Sequence, residues 1–439
     1  MVESSGAIPM IDLELQPMPR VAIETHGCKL NQADSGGLAT EFVQAGFEVV
    51  GEDMPADVYV VNSCTVTHVA DSKARQALRS ARRRHPNATI VATGCYAQRT
   101  PETLRQLNEV DLVVGNTEKT SLVRHVIDWT GDDIVPCATG DDVQAISPSA
   151  ARTRAMVKIQ EGCNQVCAYC IVPKVRGRER SIPPGEIVRT IDEYTTRGYK
   201  EVVLTGTQLG SYGFDLEEID LTGLIRHVLD RCDMARLRVS SLQAHEIDQR
   251  LLALWSDDRL APHFHLPLQS GSDAVLERMR RRYDSNRFRN AVDAIRKAIP
   301  NAAVTTDVIA GFPGEAEGDF EQTYNLCRDV GFASMHVFPY SSRPGTSAAH
   351  FRDDVPPKVK SERVGRLITL SQKQGTNYRS RFVGTSRRVL WESRKADKWV
   401  GLTDNYIRVA AHSERELANE ITWARIVGLN GQSAIAEVE

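Results

Sequence analysis

Three cysteines stand close together in Glu161-Gly162-Cys163-Asn164-Gln165-Val166-Cys167-Ala168-Tyr169-Cys170, a Cys-x3-Cys-x2-Cys spacing that brings three thiols into one loop. A [4Fe–4S] cluster normally takes four thiolates, so three would leave one iron open to a small-molecule ligand. A zinc site is usually completed by a further Cys or His pair, and no local fourth ligand follows here. Three more cysteines occur singly, as Gly27-Cys28, Ser63-Cys64 and Gly94-Cys95, each at the end of an apolar run. Free cysteine is a common core residue, which explains one such placement more easily than three equivalent ones. A second three-cysteine set is therefore expected. Cys137, Cys232 and Cys327 fit no motif and are expected to be packing residues.

The elements around these cysteines fall into three groups. From Arg20 to about Trp129 an apolar strand, a cysteine-bearing turn and a helix-period stretch repeat, with strands at Val21 to Thr25, Val58 to Asn62 and Thr89 to Thr93 and a fourth run at Asp111 to Gly115. Helices are predicted at Asn31 to Ala45, Ala70 to Arg84 and Pro101 to Leu107. Such alternation implies a doubly wound parallel sheet, whose strand carboxyl ends share one edge where ligands collect. After a Gly, Asp, Ser and Pro-rich stretch, six further strands are expected at Arg154 to Gln160, Glu201 to Thr205, Leu237 to Ser241, His263 to Leu268, Val304 to Ile309 and Met335 to Phe338. Helices between them predict a partial (β/α)6 barrel with its chemistry at the strand carboxyl ends. The short alternating runs beyond Ser380 predict a small antiparallel β-barrel. The expected domains are 19–133, a linker at 134–151, 152–379 and 380–439.

The bulk properties set limits. A chain of 439 residues exceeds what one hydrophobic core normally serves. No uncharged apolar stretch reaches the roughly 18 residues that span a bilayer, and Met1 to Pro19 lacks a basic start followed by an apolar run. A cytoplasmic protein with no membrane partner is expected. In a reducing compartment, nine cysteines point to cluster or metal use rather than disulfides. The net charge of −3 excludes a uniformly basic coat, so any nucleic-acid contact must use local patches.

Cys163, Cys167, Tyr169 and Cys170 resemble the motif of radical S-adenosylmethionine (SAM) enzymes. That resemblance implies that the open iron binds the amino and carboxylate groups of SAM and that the reduced cluster cleaves it to a 5′-deoxyadenosyl radical. It implies a cofactor wall of Tyr169 beside the adenine, Thr205, Gly206 and Thr207 at the second strand end, Ser240 and Ser241 at the third, Gln269, and the turn holding Ile309 and Gly311. With the three-cysteine domain before it and the terminal barrel after it, nearly the whole chain resembles the methylthiotransferase family. In that family the terminal barrel is the TRAM domain, an RNA-binding module. The resemblance implies two [4Fe–4S] clusters, the one at Cys28, Cys64 and Cys95 carrying sulfur, with an external electron donor such as flavodoxin or ferredoxin and a sulfur donor.

Within the family, His336-Val337-Phe338-Pro339-Tyr340-Ser341 with Arg343, and Gly401-Leu402-Thr403-Asp404-Asn405-Tyr406, are most similar to the branch that methylthiolates C2 of N6-threonylcarbamoyladenosine at position 37, in the tRNA anticodon loop. The alternatives are the branch acting on N6-isopentenyladenosine, a more distant one acting on a ribosomal protein, and, from another class, an iron–sulfur redox sensor that binds RNA. For substrate contact the sequence nominates Lys174, Arg176, Arg178 and Arg180 beside the cluster loop, Arg82 to Arg84, Arg280 to Arg282, Arg343, and Trp391, Trp399, Tyr406 and Arg408 in the barrel. Each basic run could instead be a solvated face, evenly so for Arg82 to Arg84 and less so beside the cluster loop, and some barrel aromatics core.

Overall fold

The structure, a computed structural model, describes residues 18–131, 153–352 and 354–439. The expected linker, Cys137 and all of the amino-terminal stretch before Met18 lie outside the described residues. The first sheet holds β1 (Arg20–Thr25), β2 (Glu48–Val50), β3 (Val58–Ser63), β4 (Thr89–Gly94) and β5 (Leu112–Val114), all parallel, in the order β2-β1-β3-β4-β5. Every residue of β3 is buried, as a strand covered by helices on both faces requires. Strand order reverses between β1 and β3, and that reversal opens a crevice at the carboxyl edge. The edge strand β2 and the helix Cys95–Arg99 were not expected, since three and five residues are too few to show a period; the nine-residue helix Leu122–Thr130 was not expected either.

In the second unit, β6 (Arg154–Lys158) precedes a short antiparallel ladder of β7 (Gln160–Glu161) and β8 (Arg180–Ser181) that closes the base of the cysteine loop. The strands β9 (Glu201–Thr205), β10 (Arg236–Val239), β11 (His263–His265), β12 (Ala303–Ala310) and β13 (Ser334–Pro339) then follow. β6, β9 and β10 form one parallel ladder and β11, β12 and β13 another, joined by bridges at Leu237–Leu260 and Ser241–His265. The six strands thus run in sequence order around a curved sheet. It does not close on itself: helix α1 (Lys29–Gln44) of the first unit packs along the free edge at β6, and the long helix Pro357–Ser380 packs on β13.

The terminal unit is a closed barrel of β14 (Ser386–Lys395), β15 (Lys398–Thr403), β16 (Arg408–His412), β17 (Ile421–Asn430) and β18 (Ser433–Val438), ordered β14-β15-β16-β18-β17. The expected all-antiparallel pairing needs one correction, because β16 and β18 pair in parallel to complete the closure. Closure leaves no free edge. Its core is filled by Val389, Trp391, Val409, Ala424, Ile426 and Ala436, with Trp391 fully buried.

Candidate active site between two cysteine sets

Cys28, Cys64 and Cys95 follow β1, β3 and β4, so the sheet carries all three to its carboxyl edge at the crevice. The glycines before two of them permit the approach. At Gly27, with φ of +129°, a Cβ would stand 2.5 Å from Cys64 Cβ; at Gly94, with φ of +95°, it would stand 2.5 Å from Asn62 Oδ1. Asn31, on the first turn of α1, sits among the sulfurs: its Oδ1 lies 3.7 Å from Cys28 Sγ and 4.0 Å from Cys95 Sγ. Burial pushes the Cys64 thiol up to about 12, and the charges of Cys28 and Cys95 push the same way, so the three sulfurs are near enough to resist one another's ionisation.

The second set lies in the loop between β7 and β8. Cys163 and Cys167 are buried and Cys170 half-buried. Burial pushes Cys163 up to about 11 and Cys170 up to about 12. Arg281 Nη1 donates to Cys167 Sγ at 3.2 Å, and its Nη2 donates to Gln243 Oε1 at 3.1 Å. Gln243 continues into a buried chain through Gln208 to Glu246, whose carboxyl burial pushes up to about 7. Tyr169 meets Phe312 edge-on at 6.5 Å. The other residues expected to line a cofactor lie at the same end: Thr205 ends β9 and Gly206 and Thr207 follow it, Ser240 follows β10, Ser241 and Gln269 bridge to their neighbouring strands, and Gly311 donates to Glu315 at 2.8 Å. The Thr207 hydroxyl is buried without a partner among the described residues.

Arg176 joins the two sets. From just beyond the second cysteine loop it donates to Asn31 Oδ1 at 2.6 Å, to Asp34 at 3.0 Å and to Glu161 at 2.7 Å, with its side chain 2% exposed. Lys119 and Lys158 bind the same Asp34 at 3.0 and 2.9 Å. Burial works against the Asp34 charge, yet these three cations hold its carboxyl well below the usual range. Asn116 adds a second tie, bonding Cys95 Sγ at 3.6 Å and the Val175 carbonyl at 2.8 Å.

Cys28, Cys64, Cys163 and Cys170, whose ionisation burial opposes, belong with Cys95 and Cys167 to a donor set that bound iron would satisfy, since a coordinating thiol is deprotonated by its metal. Among the described residues no three His, Cys, Asp or Glu side chains converge as a single ion needs. In a cluster each thiolate binds a separate iron, so convergence on one point is not required.

Below the sites the barrel lumen is polar, a feature the sequence reading missed. Glu201 binds Arg236 at 3.2 Å and Arg238 at 2.7 Å, and although burial opposes its charge the two guanidiniums hold it down to about 2. Asp307 binds His265 at 3.2 Å and His336 at 3.3 Å. Tyr406 of the terminal barrel stacks on His263 at 3.9 Å, with the Arg238 guanidinium over its ring at 5.4 Å, at the foot of the lumen. Burial and the charges of Arg238 and Arg154 push the ammonium of Lys29, next to Cys28, down to about 8.

Comparison with known proteins places this geometry. Residues 20–115 match the family described as uncharacterized protein family UPF0004, and residues 157–327 match the radical SAM superfamily. The chain is 37% identical over 425 residues to the threonylcarbamoyladenosine tRNA methylthiotransferase MtaB of Bacillus subtilis (strain 168), covering 93% of this chain and 94% of that one. It is 40% identical over 408 residues to the MtaB of Aquifex aeolicus (strain VF5), covering 91% and 98%. The chain belongs to the radical SAM methylthiotransferase family. A tRNA-2-methylthio-N(6)-dimethylallyladenosine synthase of Bacillus mycoides (strain KBAB4) is 34% identical, covering 95% of this chain and 86% of that one. In fold the chain is similar to the radical SAM methyltransferase TsrM of Kitasatospora setae, with a TM-score of 0.53 at 14% identity over 72% of each chain. Methylthiotransferases use SAM and [4Fe–4S] clusters, and the cysteine sets described above are where this member would hold them.

Several nominated substrate contacts have other positions in this methylthiotransferase. Arg176 is the buried tie between cysteine sets, and Arg281 binds Cys167. Arg343 is 1% exposed and crosses to Asp71 of the first domain at 2.6 Å, where Arg99 also binds at 2.8 Å. Trp391 and Trp399 are barrel core, and Tyr406 stacks on His263. Arg82 is engaged by Asp111 and Arg84 by Glu24 and Tyr59. Lys174, Arg178, Arg180 and Arg408 do remain exposed, although Arg180 faces Glu161 at 3.5 Å and Arg408 faces Glu392 at 3.6 Å. The barrel aromatic that faces outward is Trp423, 54% exposed. The alternation along β17 could have singled it out, since Trp423 and Arg425 share the face opposite Ala424 and Ile426.

Proposed function

We propose that this chain inserts a methylthio group at C2 of N6-threonylcarbamoyladenosine at position 37 of tRNA. The observation that carries the reading is the meeting of two three-cysteine sets across one interface, tied by Arg176 to Asn31 and Asp34. One set alone would serve a hydrogen-abstracting enzyme; the pair serves hydrogen removal and sulfur delivery at one carbon. When bound, SAM with a [4Fe–4S] cluster at Cys163, Cys167 and Cys170 supplies the abstraction, and a cluster at Cys28, Cys64 and Cys95 supplies the sulfur.

The protein's own contribution is placement. Arg176 and Asn116 fix the gap between the sets, Arg281 orients the Cys167 sulfur, and α1 shuts the open side of the lumen against water. Tyr169, Thr205, Gly206, Thr207, Ser240, Ser241, Gln269, Ile309 and Gly311 hold SAM. Lys174, Arg178 and Arg180, exposed beside the cysteine loop, take phosphates of the anticodon loop, and the 380–439 barrel takes a further stretch of tRNA through Arg408 and Trp423. Electrons come from a flavodoxin- or ferredoxin-like protein and sulfur from a separate donor, in the cytoplasm where tRNA is modified. Among the described residues no helix is long and apolar enough to cross a membrane.

Anaerobic reconstitution with iron, sulfide, SAM and reductant, followed by mass spectrometry of the tRNA nucleosides, tests the assignment. The 2-methylthio derivative of N6-threonylcarbamoyladenosine is expected. Its absence while the 2-methylthio isopentenyl nucleoside accumulates would move the chain to the other tRNA branch.

A further inference from the structure

Three strands of the second unit carry a chain of polar side chains on their inner faces. Phe264, Val308, Met335 and Val337 pack into the core behind β11, β12 and β13, so alternation turns His265, Asp307, His336 and Phe338 into the lumen. His336 Nδ1 stands 3.3 Å from Asp307 Oδ1, and His265 Nε2 stands 3.2 Å from the other carboxylate oxygen. Behind them the Thr305 hydroxyl joins His265 at 3.0 Å to His263 at 2.9 Å. Asp307 is therefore occupied on both oxygens, and it fixes the His336 ring with Nδ1 to the wall. Nε2 is left as the outward nitrogen of a side chain that is 64% exposed. The bond to Asp307 and its charge raise the affinity of this ring for a proton, against burial and the charge of Lys29. Along the inward faces of β9 to β13, Glu201 and Asp307 are matched by Arg236 and Arg238, so a proton on His336 is a positive charge in surplus.

Depth in the shaft says what such a donor would meet. Phe338, two residues further along β13, pairs in register with Ile309, one of the residues assigned to SAM above. Its side chain is 42% exposed, and its ring lies 6.4 Å from that of His336. The wall thus offers an aromatic face near the reacting end and a cationic N–H donor one step deeper. In adenine, C2 and N6 lie on either side of N1. An adenine whose C2 faces the strand carboxyl ends, where the cysteine sets are, sends its N6 substituent away from them and down toward His336. The threonylcarbamoyl group ends in a carboxylate; an isopentenyl group brings neither charge nor acceptor, and would leave these buried polar groups without a partner.

We propose that His336, oriented by Asp307, donates from Nε2 to the carboxylate of the threonylcarbamoyl group and selects this adenosine over those with apolar N6 substituents. The inference rests on the function proposed above and names the side chain that enforces it. Asp307 acts through His336, as a positioning residue. A charge-assisted hydrogen bond of this kind, shielded from bulk water, discriminates by about tenfold or more.

The test uses the full chain with both clusters reconstituted and anticodon stem-loops carrying N6-threonylcarbamoyladenosine, its neutral methyl ester, or N6-isopentenyladenosine. Stem-loop affinity and kcat/KM are measured for the native chain, His336→Gln and His336→Lys, with iron and sulfide content confirming equal loading. The native chain is expected to prefer acid over ester by about tenfold or more, His336→Gln to bring that ratio near one, and His336→Lys to keep most of it. A native chain that treats acid and ester alike, or an unchanged ratio in His336→Gln, overturns the role of His336 while leaving the proposed function standing. A native chain that ignores the threonylcarbamoyl stem-loop and modifies the isopentenyl one overturns the function itself. Should His336→Gln load less iron, His336→Lys decides: a retained acid-over-ester preference supports the pairing, and its loss refutes it.

Discussion

The two cysteine sets reach similar chemistry by opposite routes. Cys163, Cys167 and Cys170 belong to one loop, clamped by a two-residue ladder, and their proximity is written in the covalent chain. Cys28, Cys64 and Cys95 are each more than thirty residues from the next and meet only because β1, β3 and β4 are hydrogen-bonded neighbours with matching register. The first set needs a loop; the second needs a fold. Sensitivity to change should differ accordingly.

The largest separation between them is expected in the products made. Cys163→Ala should abolish both 5′-deoxyadenosine and methylthiolated tRNA, whereas Cys64→Ala should abolish the methylthio product and leave 5′-deoxyadenosine formation measurable by chromatography. If Cys64→Ala silenced both products with Cys163-set iron still bound, the two sets would not be separable in the way their construction suggests. A backbone change comes next. Gly94→Val introduces a side chain where a Cβ already meets Asn62 Oδ1 and the Ser63 backbone, at a φ of +95°. It should cost the chain about half its reconstituted iron, the share of one cluster of two. Iron loss spread equally over both sets, resolved by paramagnetic resonance, would contradict this.

The smallest expected effect is in pH. Glu246, linked through Gln208 and Gln243 to the Arg281 that binds Cys167, has its carboxyl pushed by burial from 4.5 up to about 7. Because the folded value exceeds the unfolded one, the unfolded chain ionises first. Stability should fall by roughly 3 kcal/mol between pH 4.5 and about 7 and be level above it. Asp34, on the other side, is held ionised by its three cations and contributes in the opposite sense, with stability present above the ordinary Asp range and lost as pH falls below it. Glu246→Gln should flatten the upper slope in thermal melts from pH 5 to 8; an unchanged slope would assign it to other groups.

The same contrast explains what was legible in the sequence. The spacing of Cys163, Cys167 and Cys170 marked them as a candidate cluster site without any fold, and the apolar runs located β1, β3, β4 and β9 to within about a residue of their observed ends. The convergence of Cys28, Cys64 and Cys95 on one sheet edge was readable through the repeat of strand, cysteine and helix. Distances across domains left no such mark. Arg176 and Arg343 read as surface cations because local pattern records charge and not the partner, and their partners Asp34 and Asp71 lie more than a hundred residues away. The ionic lumen was hidden for the same reason: Glu201, Arg238 and Asp307 sit inside strands whose alternation marks a face as inward without saying that the interior is polar.

Tyr406, stacked on His263 at the foot of the lumen, makes the terminal barrel a plug as well as a separate domain. Cutting the chain after Ser380 would remove the surface proposed to meet tRNA and pull out the floor of the shaft in one stroke. Loss of turnover in such a truncation would report drainage of the shaft as much as release of tRNA. Point changes at Trp423 or Arg408, on the outer wall, are the ones that separate grip from enclosure.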